Sequence, residues 1–284
     1  MSFELGIITD EVSQDFERAL DLVLDWELRT VEVRTLWEKN VVDLTPAEID
    51  RARTALESRG LTVSCIASPL FKASLREGDE APDSAGFFTV HTGLASHPEV
   101  LSRAIMAARV LGARTIRTFS FWRQIDRTQL LSGIASHLRE AAAVAAEEGF
   151  TLALENEFSC NAATGQETAD LLAAIGRTDV GAIWDPANAL VAGETPFPHG
   201  YVRLRGRVRH VHVKDCVRSV GPGQGPWRLL GQGDVDWRGQ LAALRGDRYA
   251  GPLTLEPHPI EGCSPEEAAY RCLEALRTML RAYG

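Results

Sequence analysis

The sequence predicts a single (β/α)8 barrel over residues 1–284, and two observations carry this prediction. Short runs rich in β-branched residues alternate eight times with longer segments that have the apolar spacing of amphipathic helices. No linker-like change in composition divides the series. An open doubly wound sheet is the alternative, but Asp10-Glu11-Val12 follows the first run and the chain contains neither GxGxxG nor GxxxxGKS/T.

Each run has the length of a short strand, and we expect strands at residues 5–9, 30–34, 61–67, 114–119, 151–155, 180–185, 208–213 and 252–256. The periodic segments predict helices at 13–24, 46–60, 98–111, 127–148, 165–175, 187–192, 237–244 and 264–282. Ser13 is the predicted N-cap of the first helix, and Thr45 with Glu48 forms a capping box at the second. Segments 68–96 and 216–233 are the long loops in which we expect substrate specificity to lie.

Composition and charge argue against several classes of protein. Hydrophobic residues make up 45% of the chain and the net charge is −9, which is ordinary for a globular protein and unfavourable for binding nucleic-acid phosphates. No apolar run approaches the ~20 residues that a membrane span requires. The five cysteines are scattered without a CxxC motif and no signal-peptide pattern opens the chain, so we expect a cytoplasmic protein with free thiols.

Ionisable residues end four consecutive predicted strands, where (β/α)8 barrels carry their active sites; they are Glu155, Asp185, His212 and Glu256. The two-residue period of a strand places them opposite the large apolar residues, so we expect them to point into the barrel mouth. Three crowded carboxylates repel one another unless a cation lies among them. Carboxylates with one imidazole suit Mn²⁺, Mg²⁺, Co²⁺ or Zn²⁺, so one divalent metal ion is the expected cofactor.

Five motifs in the C-terminal half extend this pattern: Leu-Ala-Leu-Glu-Asn (152–156), Trp-Asp-Pro-Ala-Asn (184–188), His-Val-His-Val-Lys-Asp (210–215), Gly-Gln-Gly-Asp-Val-Asp-Trp (231–237) and Thr-Leu-Glu-Pro-His (254–258). With these motifs the chain resembles the xylose isomerase-like TIM barrel superfamily, in particular its sugar phosphate isomerase/epimerase branch. The endonuclease IV relatives need additional histidines after the third, fourth and sixth strands. This chain lacks them, so we expect no nucleic-acid partner.

The resemblance implies that Glu155, Asp185, His212 and Glu256 hold one metal ion and that Glu155 and Glu256 also act as acid and base. It implies a small carbohydrate or sugar acid as substrate, phosphorylated or not, which loses a proton next to its carbonyl to give an enediolate. Return of the proton gives epimerisation or isomerisation. Loss of a hydroxyl gives dehydration, as in the inosose dehydratase relatives. A barrel that binds metal and ligand without turnover is the alternative from another class, and a homo-oligomer is left open.

Two substrate contacts are also implied by the resemblance. Arg218 follows His212 by six residues, the spacing of a substrate-binding arginine in the ketose 3-epimerases, and this spacing favours His212 over His210 as the ligand. Asn188 stands where those epimerases have a histidine, and its amide can hydrogen-bond a substrate hydroxyl. Asn161 stands where they have a second carboxylate, so the resemblance implies the broader class of isomerases, epimerases and dehydratases.

The remaining candidates rest on their positions relative to the predicted strands. Glu32 and Arg34 share the inward face of the second strand, where they either reach the substrate or form an ion pair that closes the barrel floor. Lys214 follows the seventh strand, where it can stabilise an enediolate. Trp122 follows the fourth strand and either walls the substrate pocket or lies at the surface.

Overall fold

The structure is a computed structural model that describes residues 3–76, 96–124, 127–218 and 227–282. Eight parallel strands close into a barrel in which neighbours in sequence are neighbours in space. The strands are β1 Glu4–Ile8, β2 Thr30–Val33, β3 Thr62–Leu70, β4 Thr115–Thr118, β5 Thr151–Glu155, β6 Gly181–Trp184, β7 Val208–Val213 and β8 Pro252–Leu255. This closed parallel barrel confirms the predicted (β/α)8 TIM barrel.

Helices surround the barrel: α1 Phe16–Asp25, α2 Pro46–Glu57, α3 His97–Leu111, α4 Arg127–Glu147, α5 Gly165–Ile175, α6 Pro186–Val191, α7 Tyr201–Leu204, α8 Trp237–Gly246 and α9 Pro265–Arg281. The sequence did not predict α7 or several shorter elements. These are 3-10 turns at Thr9–Glu11 and Val41–Asp43, a π turn at Pro196–Gly200, and two-stranded ribbons joining Thr35–Leu36 to Lys39–Asn40 and Asp215–Cys216 to Trp227–Arg228. Of the two predicted long loops, residues 77–95 and 219–226 lie outside the described residues.

Side-chain caps decide where the first two helices begin. The capping box of α2 is confirmed, because the Thr45 hydroxyl accepts a hydrogen bond from the Glu48 backbone while the Glu48 carboxylate accepts one from the Thr45 backbone. The prediction of Ser13 as the N-cap of α1 was wrong. Asp15 caps this helix by accepting from the backbone N–H of Arg18, and the Ser13 hydroxyl accepts from the backbone N–H of Asp15. Both residue types can cap a helix, and the one adjacent to the first turn does so here.

The two faces of the strands differ as the two-residue period predicts. Outward-facing residues such as Leu152 and Leu154 belong to the main hydrophobic core between the sheet and the helices. Inward-facing Cys65, Ala153 and Ile183 form a separate, fully buried apolar cluster inside the barrel. We call these three residues the floor cluster, and the chemistry-bearing side chains lie above it.

The state of the cysteines and the hydropathy of the helices both bear on the environment of the protein. All five cysteines are free thiols, as the sequence predicts. Within the described ranges, no helix combines the length and the hydropathy needed to cross a membrane.

Candidate metal centre and substrate cavity

The four side chains predicted at the strand ends meet at the C-terminal mouth of the barrel. Glu155 ends β5, His212 lies in β7, and Asp185 and Glu256 directly follow β6 and β8. One ligand atom from each residue lies within 4.8 Å of the others, and all four side chains are buried. Nδ1 of His212 is 3.2 Å from Oε1 of Glu155 and 3.4 Å from Oε2 of Glu256. We call these four residues the mouth cluster.

The turn from β6 into α6 fixes two of the predicted site residues. Asp185 is the N-cap of α6, and its Oδ1 accepts a 2.8 Å hydrogen bond from the backbone N–H of Asn188. The side-chain amide of Asn188 donates to the backbone carbonyl of Asn156 at 3.0 Å and lies 3.4 Å from Oε1 of Glu155. The cap therefore orients a carboxylate of the mouth cluster and holds the Asn188 amide beside it.

Lys214 places its ammonium group within the mouth cluster, 2.8 Å from Oδ2 of Asp185 and 2.8 Å from Oε2 of Glu256. Burial alone would lower the pKa of Lys214, but the two carboxylates outweigh burial and raise this pKa above its usual value. Burial also opposes ionisation of Glu256, yet Lys214 and His212 hold the pKa of Glu256 well below its ordinary value. Lys214 and Glu256 are therefore both charged at neutral pH.

Glu32 lies one layer deeper than the mouth cluster and contacts two histidines. Its Oε2 atom is 2.9 Å from Nε2 of His210 and 3.1 Å from Nε2 of His212. Glu32 is fully buried and is not among the residues that line the cavity, and it pairs with these two histidines and not with Arg34. Because Nε2 of His212 faces Glu32, Nδ1 is the nitrogen that His212 presents to the mouth cluster.

Arg34 reaches the mouth from the other side and binds three carboxylates. Its guanidinium pairs with Asp10 at 2.9 Å, with Glu256 at 2.8 Å, and with Glu11. Burial favours the neutral form of Glu11, but Arg34 and His258 outweigh it and lower the pKa of Glu11 to about 2. Glu11, Glu256 and His258 also bring ligand atoms within 4.8 Å of one another, but Arg34 already supplies a positive charge to this group.

A cavity of about 550 Å³ opens above the mouth cluster, a volume that suits one small ligand. The predicted site residues that line it are Arg34, Glu155, Asn188, Lys214 and Glu256. Phe119, Phe158 and Trp227 supply aromatic walls. The lining thus combines hydrogen-bonding and charged groups with apolar aromatic surface.

Two predicted substrate contacts do not line this cavity as the described residues define it. Trp122 is buried in an apolar cluster beside Phe119, so it lies behind the wall instead of forming it. The guanidinium of Arg218 donates to the backbone carbonyls of Gly193 at 3.1 Å and Glu194 at 2.9 Å. Arg218 therefore braces the segment after α6 and does not face the mouth cluster.

Asn161 serves the backbone of the loop that follows β4. Its side-chain N–H groups donate to the carbonyls of Ser120, Phe121 and Trp122, and its Oδ1 accepts from the backbone N–H of Gln124. An acidic side chain could not make these donations. The departure from a carboxylate at this position therefore has a structural reason.

The charge and the donor set at the mouth both fit a divalent metal ion. Six buried carboxylates of the described residues lie in its contact network: Asp10, Glu11, Glu32, Glu155, Asp185 and Glu256. The permanently cationic side chains that contact them, among the described residues, are Arg34, Arg117 and Lys214. Oε2 of Glu155 and Oδ2 of Asp185 are buried with an ion-pair contact but no hydrogen bond of good geometry. Oxygen donors with one imidazole are suitable ligands for such an ion.

The family model for the xylose isomerase-like TIM barrel matches residues 20–279 of this sequence, which include all four residues of the mouth cluster. The chain belongs to the xylose isomerase-like TIM barrel family. This confirms the membership that the C-terminal motifs indicated. No protein of curated function matches the chain by sequence.

Solved structures resemble this xylose isomerase-like barrel over nearly their full length. The IOLI protein with a bound zinc atom aligns with a TM-score of 0.79 at 16% identity, over 99% of both chains. The 3-keto-D-glucoside 4-epimerase from E. coli gives 0.72 at 16%, over 98% of this chain and 100% of the other. The probable 3-DHS dehydratase AsbF from Bacillus anthracis gives 0.74 at 14%, over 96% and 98%. At these identities the likeness establishes the fold alone.

Sequence reasoning missed several residues that border the cavity of this xylose isomerase-like barrel. Asp10 and Glu11 lie in the 3-10 turn that follows β1, and His258 follows β8. The rule that strand ends carry the chemistry would have found them if it had been applied to the first strand as well as to the last four. Lys72 was missed because β3 extends to Leu70, three residues beyond its predicted end.

Proposed function

We propose that the chain is a metal-dependent isomerase or epimerase of a small sugar, sugar acid or sugar phosphate, acting by proton transfer next to a carbonyl. One observation carries the proposal: ligand atoms of Glu155, Asp185, His212 and Glu256 lie within 4.8 Å of one another at the base of a cavity. Fold neighbours named as an epimerase and a probable dehydratase support an enzyme of this class.

Glu155 and Glu256 are the proposed acid and base. They border the cavity from β5 and from the end of β8, with β6 and β7 between them, so they approach a substrate from different directions. One carboxylate accepts the proton from the carbon next to the carbonyl, and the electron pair of that C–H bond enters an enediolate. The other glutamate takes a proton from solvent and delivers it to the same carbon for epimerisation, or to the neighbouring carbon for isomerisation, and the first glutamate then releases its proton to solvent.

The mouth cluster would hold the metal ion, which when bound supplies a positive charge that polarises the substrate carbonyl and stabilises the enediolate. Lys214 adds a second positive charge beside Asp185 and Glu256. The Asn188 amide is held at the cavity edge, where it can hydrogen-bond a substrate hydroxyl. The aromatic walls exclude water from the reacting carbons.

Loss of a hydroxyl from the same enediolate would make the protein an inosose dehydratase-like lyase. The probable dehydratase among the fold neighbours supports this second reaction. Both reactions begin with removal of the same proton, so they share their first step. A barrel that binds metal and ligand without turnover would take no such step.

Deuterium exchange tests the proposal. Mn²⁺-loaded protein is incubated in D2O with a panel of ketoses and keto-acids, and NMR and mass spectrometry follow deuterium at the carbon next to the carbonyl. We expect exchange in the wild type and a loss of roughly 10²- to 10⁴-fold in Glu155→Gln and Glu256→Gln. Glu140→Gln, on the exposed face of α4, makes the same chemical change outside the cavity and should leave exchange unchanged. Binding without exchange across the panel would contradict the proposal.

A further inference from the structure

Lysine is rare in this chain, and two of its lysines line the cavity. The sequence contains three lysines, and the other 27 of its 30 basic residues are arginines. Lys39 lies at the surface and pairs with Glu48, whereas Lys72 and Lys214 both border the cavity. A compact, mobile ammonium is thus placed mainly where a ligand would bind, and ordinary surface charge is left to arginine.

Among the described residues, Lys72 differs from the other cations of the cavity lining in having no carboxylate partner. Arg34 and Lys214 contact carboxylates of the mouth, and Arg117 lies 3.2 Å from Oε2 of Glu155. The Lys72 ammonium instead lies 4.7 Å from the centroid of the Phe119 ring, with no acidic group within 4 Å in the part of the chain that the structure describes. The nearby Glu157 accepts hydrogen bonds from the backbone and hydroxyl of Ser159.

The backbone holds Lys72 at the cavity edge. Phe71, directly before it, has a φ of 61°, a left-handed conformation that is costly for a bulky residue and that recurs at functional sites. The backbone N–H of Lys72 donates to Pro69 at 2.8 Å, and the carbonyls of Phe71 and Ala73 accept from Phe121 and Trp122 at 2.9 Å. The end of β3 is therefore bent and tied to the loop after β4, and this turn presents Lys72 to the cavity.

The Phe119 ring lies against Lys72 and also against an arginine that reaches the mouth cluster. The guanidinium of Arg117 lies 4.7 Å from the same ring centroid, and Arg117 in turn contacts Glu155. A ligand that reaches both Glu155 and Lys72 must therefore extend along the Phe119 wall, so the group at Lys72 lies at the end remote from the reacting carbons.

From these contacts we propose that Lys72 binds an anionic terminal group of the substrate, a carboxylate or a phosphate. The cavity then selects a polyhydroxylated anion over a neutral sugar. Among the described residues, the Lys72 ammonium lies over aromatic rings and makes no ion pair, so it gains a charge-assisted hydrogen bond when such a group arrives. This inference rests on the proposed function, because it assigns a charge to the substrate of the same cavity.

The first test compares three probes that share a five-carbon polyol chain: neutral xylitol, xylonate and xylitol 5-phosphate. Isothermal titration calorimetry measures their binding to the Mn²⁺-loaded wild type, Lys72→Met, Lys72→Arg and, as matched control, Lys39→Met. We expect at least one anion to bind roughly tenfold tighter than xylitol, the scale of one charge-assisted contact. Lys72→Met should abolish this preference, while Lys72→Arg and Lys39→Met keep it. The preferred anion tells a carboxylate from a phosphate.

Equal binding of neutral and anionic probes would overturn the inference, and so would an anion preference that survives Lys72→Met. A second measurement needs neither metal nor turnover. Acetic anhydride labels the lysines of the wild type with and without inorganic phosphate at constant ionic strength, and mass spectrometry compares Lys72 with Lys39. We expect phosphate to slow acetylation of Lys72 and not of Lys39; equal rates would overturn the inference. Failure to bind Mn²⁺ would instead reject the proposed function, and the two failures are distinguishable.

Discussion

The floor cluster and the mouth cluster are adjacent layers of one barrel interior, and they have opposite chemistry. On β5 the inward residue changes from Ala153 to Glu155, and along β6 it changes from Ile183 to Asp185, each time two positions along the chain. Both layers are buried, but the three residues of the floor cluster are apolar, with Glu32 and His210 paired in register beside Cys65 and Ile183, whereas all four residues of the mouth cluster are ionisable. Residues that stabilise the barrel and residues that could bind a metal ion thus lie two positions apart on the same strands.

Burial of the mouth cluster costs free energy because its side chains are charged, whereas burial of the apolar floor cluster is favourable. Taking carboxylates out of water is unfavourable unless cations compensate, and apolar residues of similar size often stabilise a protein more. Clusters of buried, perturbed ionisable groups are therefore typical of functional sites. We expect substitutions in the mouth to change metal binding, and substitutions in the floor to change the free energy of unfolding.

The largest expected effect is a loss of metal affinity when a residue of the mouth cluster is replaced. Asp185→Asn keeps the side-chain cap of α6 and removes a charged ligand, so we expect the Mn²⁺ affinity to fall by roughly a thousandfold, beyond the 10- to 100-fold typical of residues that only orient a ligand. Calorimetric titration measures it. Asp236→Asn is the matched control, since Asp236 caps α8 at 2.8 Å from the backbone of Gly239 and lies outside the mouth cluster. Unchanged affinity in Asp185→Asn would contradict the assigned metal site.

The next largest effect is a loss of stability when a residue of the floor cluster is replaced. Ile183→Ala leaves a cavity among fully buried residues and should reduce the free energy of unfolding by about 2–5 kcal/mol, while the folded protein binds Mn²⁺ nearly as the wild type does. Urea denaturation and metal titration measure the two quantities on the same sample. Val144→Ala, on the exposed side of α4, should cost less than about 0.5 kcal/mol. Loss of metal binding without loss of stability would abolish the distinction between the two layers.

The smallest expected effect is a modest loss of metal affinity when Glu32, which lies below the mouth cluster, is replaced. Glu32→Gln keeps the size of a side chain that orients His212 but removes its charge, so we expect Mn²⁺ to bind about 10-fold more weakly, at the low end of the range for such residues. Glu4→Gln is the control, because Glu4 contacts Thr30 at the opposite end of the barrel. An affinity equal to the wild type would show that Glu32 supports only the interior packing.

The sequence predicted the mouth mainly from strand periodicity. Glu155, Asp185 and Glu256 follow from the two-residue period and the rule that strand ends meet at one edge, whereas the choice of His212 over His210 came from the resemblance to the family. The same logic failed at β3, whose irregular register between Ile66 and Leu70 carries the strand past its predicted end and hid Lys72.

Side chains on loops escaped prediction for a different reason. Arg218 has the spacing of a substrate contact, but the direction of a long side chain depends on which backbone carbonyls the fold brings near it. Trp122 and Phe119 are both aromatic and close in sequence, and only tertiary packing decides that Phe119 lines the cavity. Glu32 faces inward as predicted, but its depth relative to His212 depends on the stagger of the strands around the barrel.

The most direct test of the account is the Mn²⁺ content of two histidine variants after chelation, reloading and desalting. His210 and His212 lie two residues apart on β7 and both contact Glu32, but only His212 belongs to the mouth cluster. Elemental analysis should find about one Mn²⁺ per chain in the wild type and in His210→Ala, and a much smaller amount in His212→Ala, with circular dichroism confirming that both variants are folded. Retention of the metal by His212→Ala, or equal loss from both variants, would contradict the assignment of the metal to the mouth cluster.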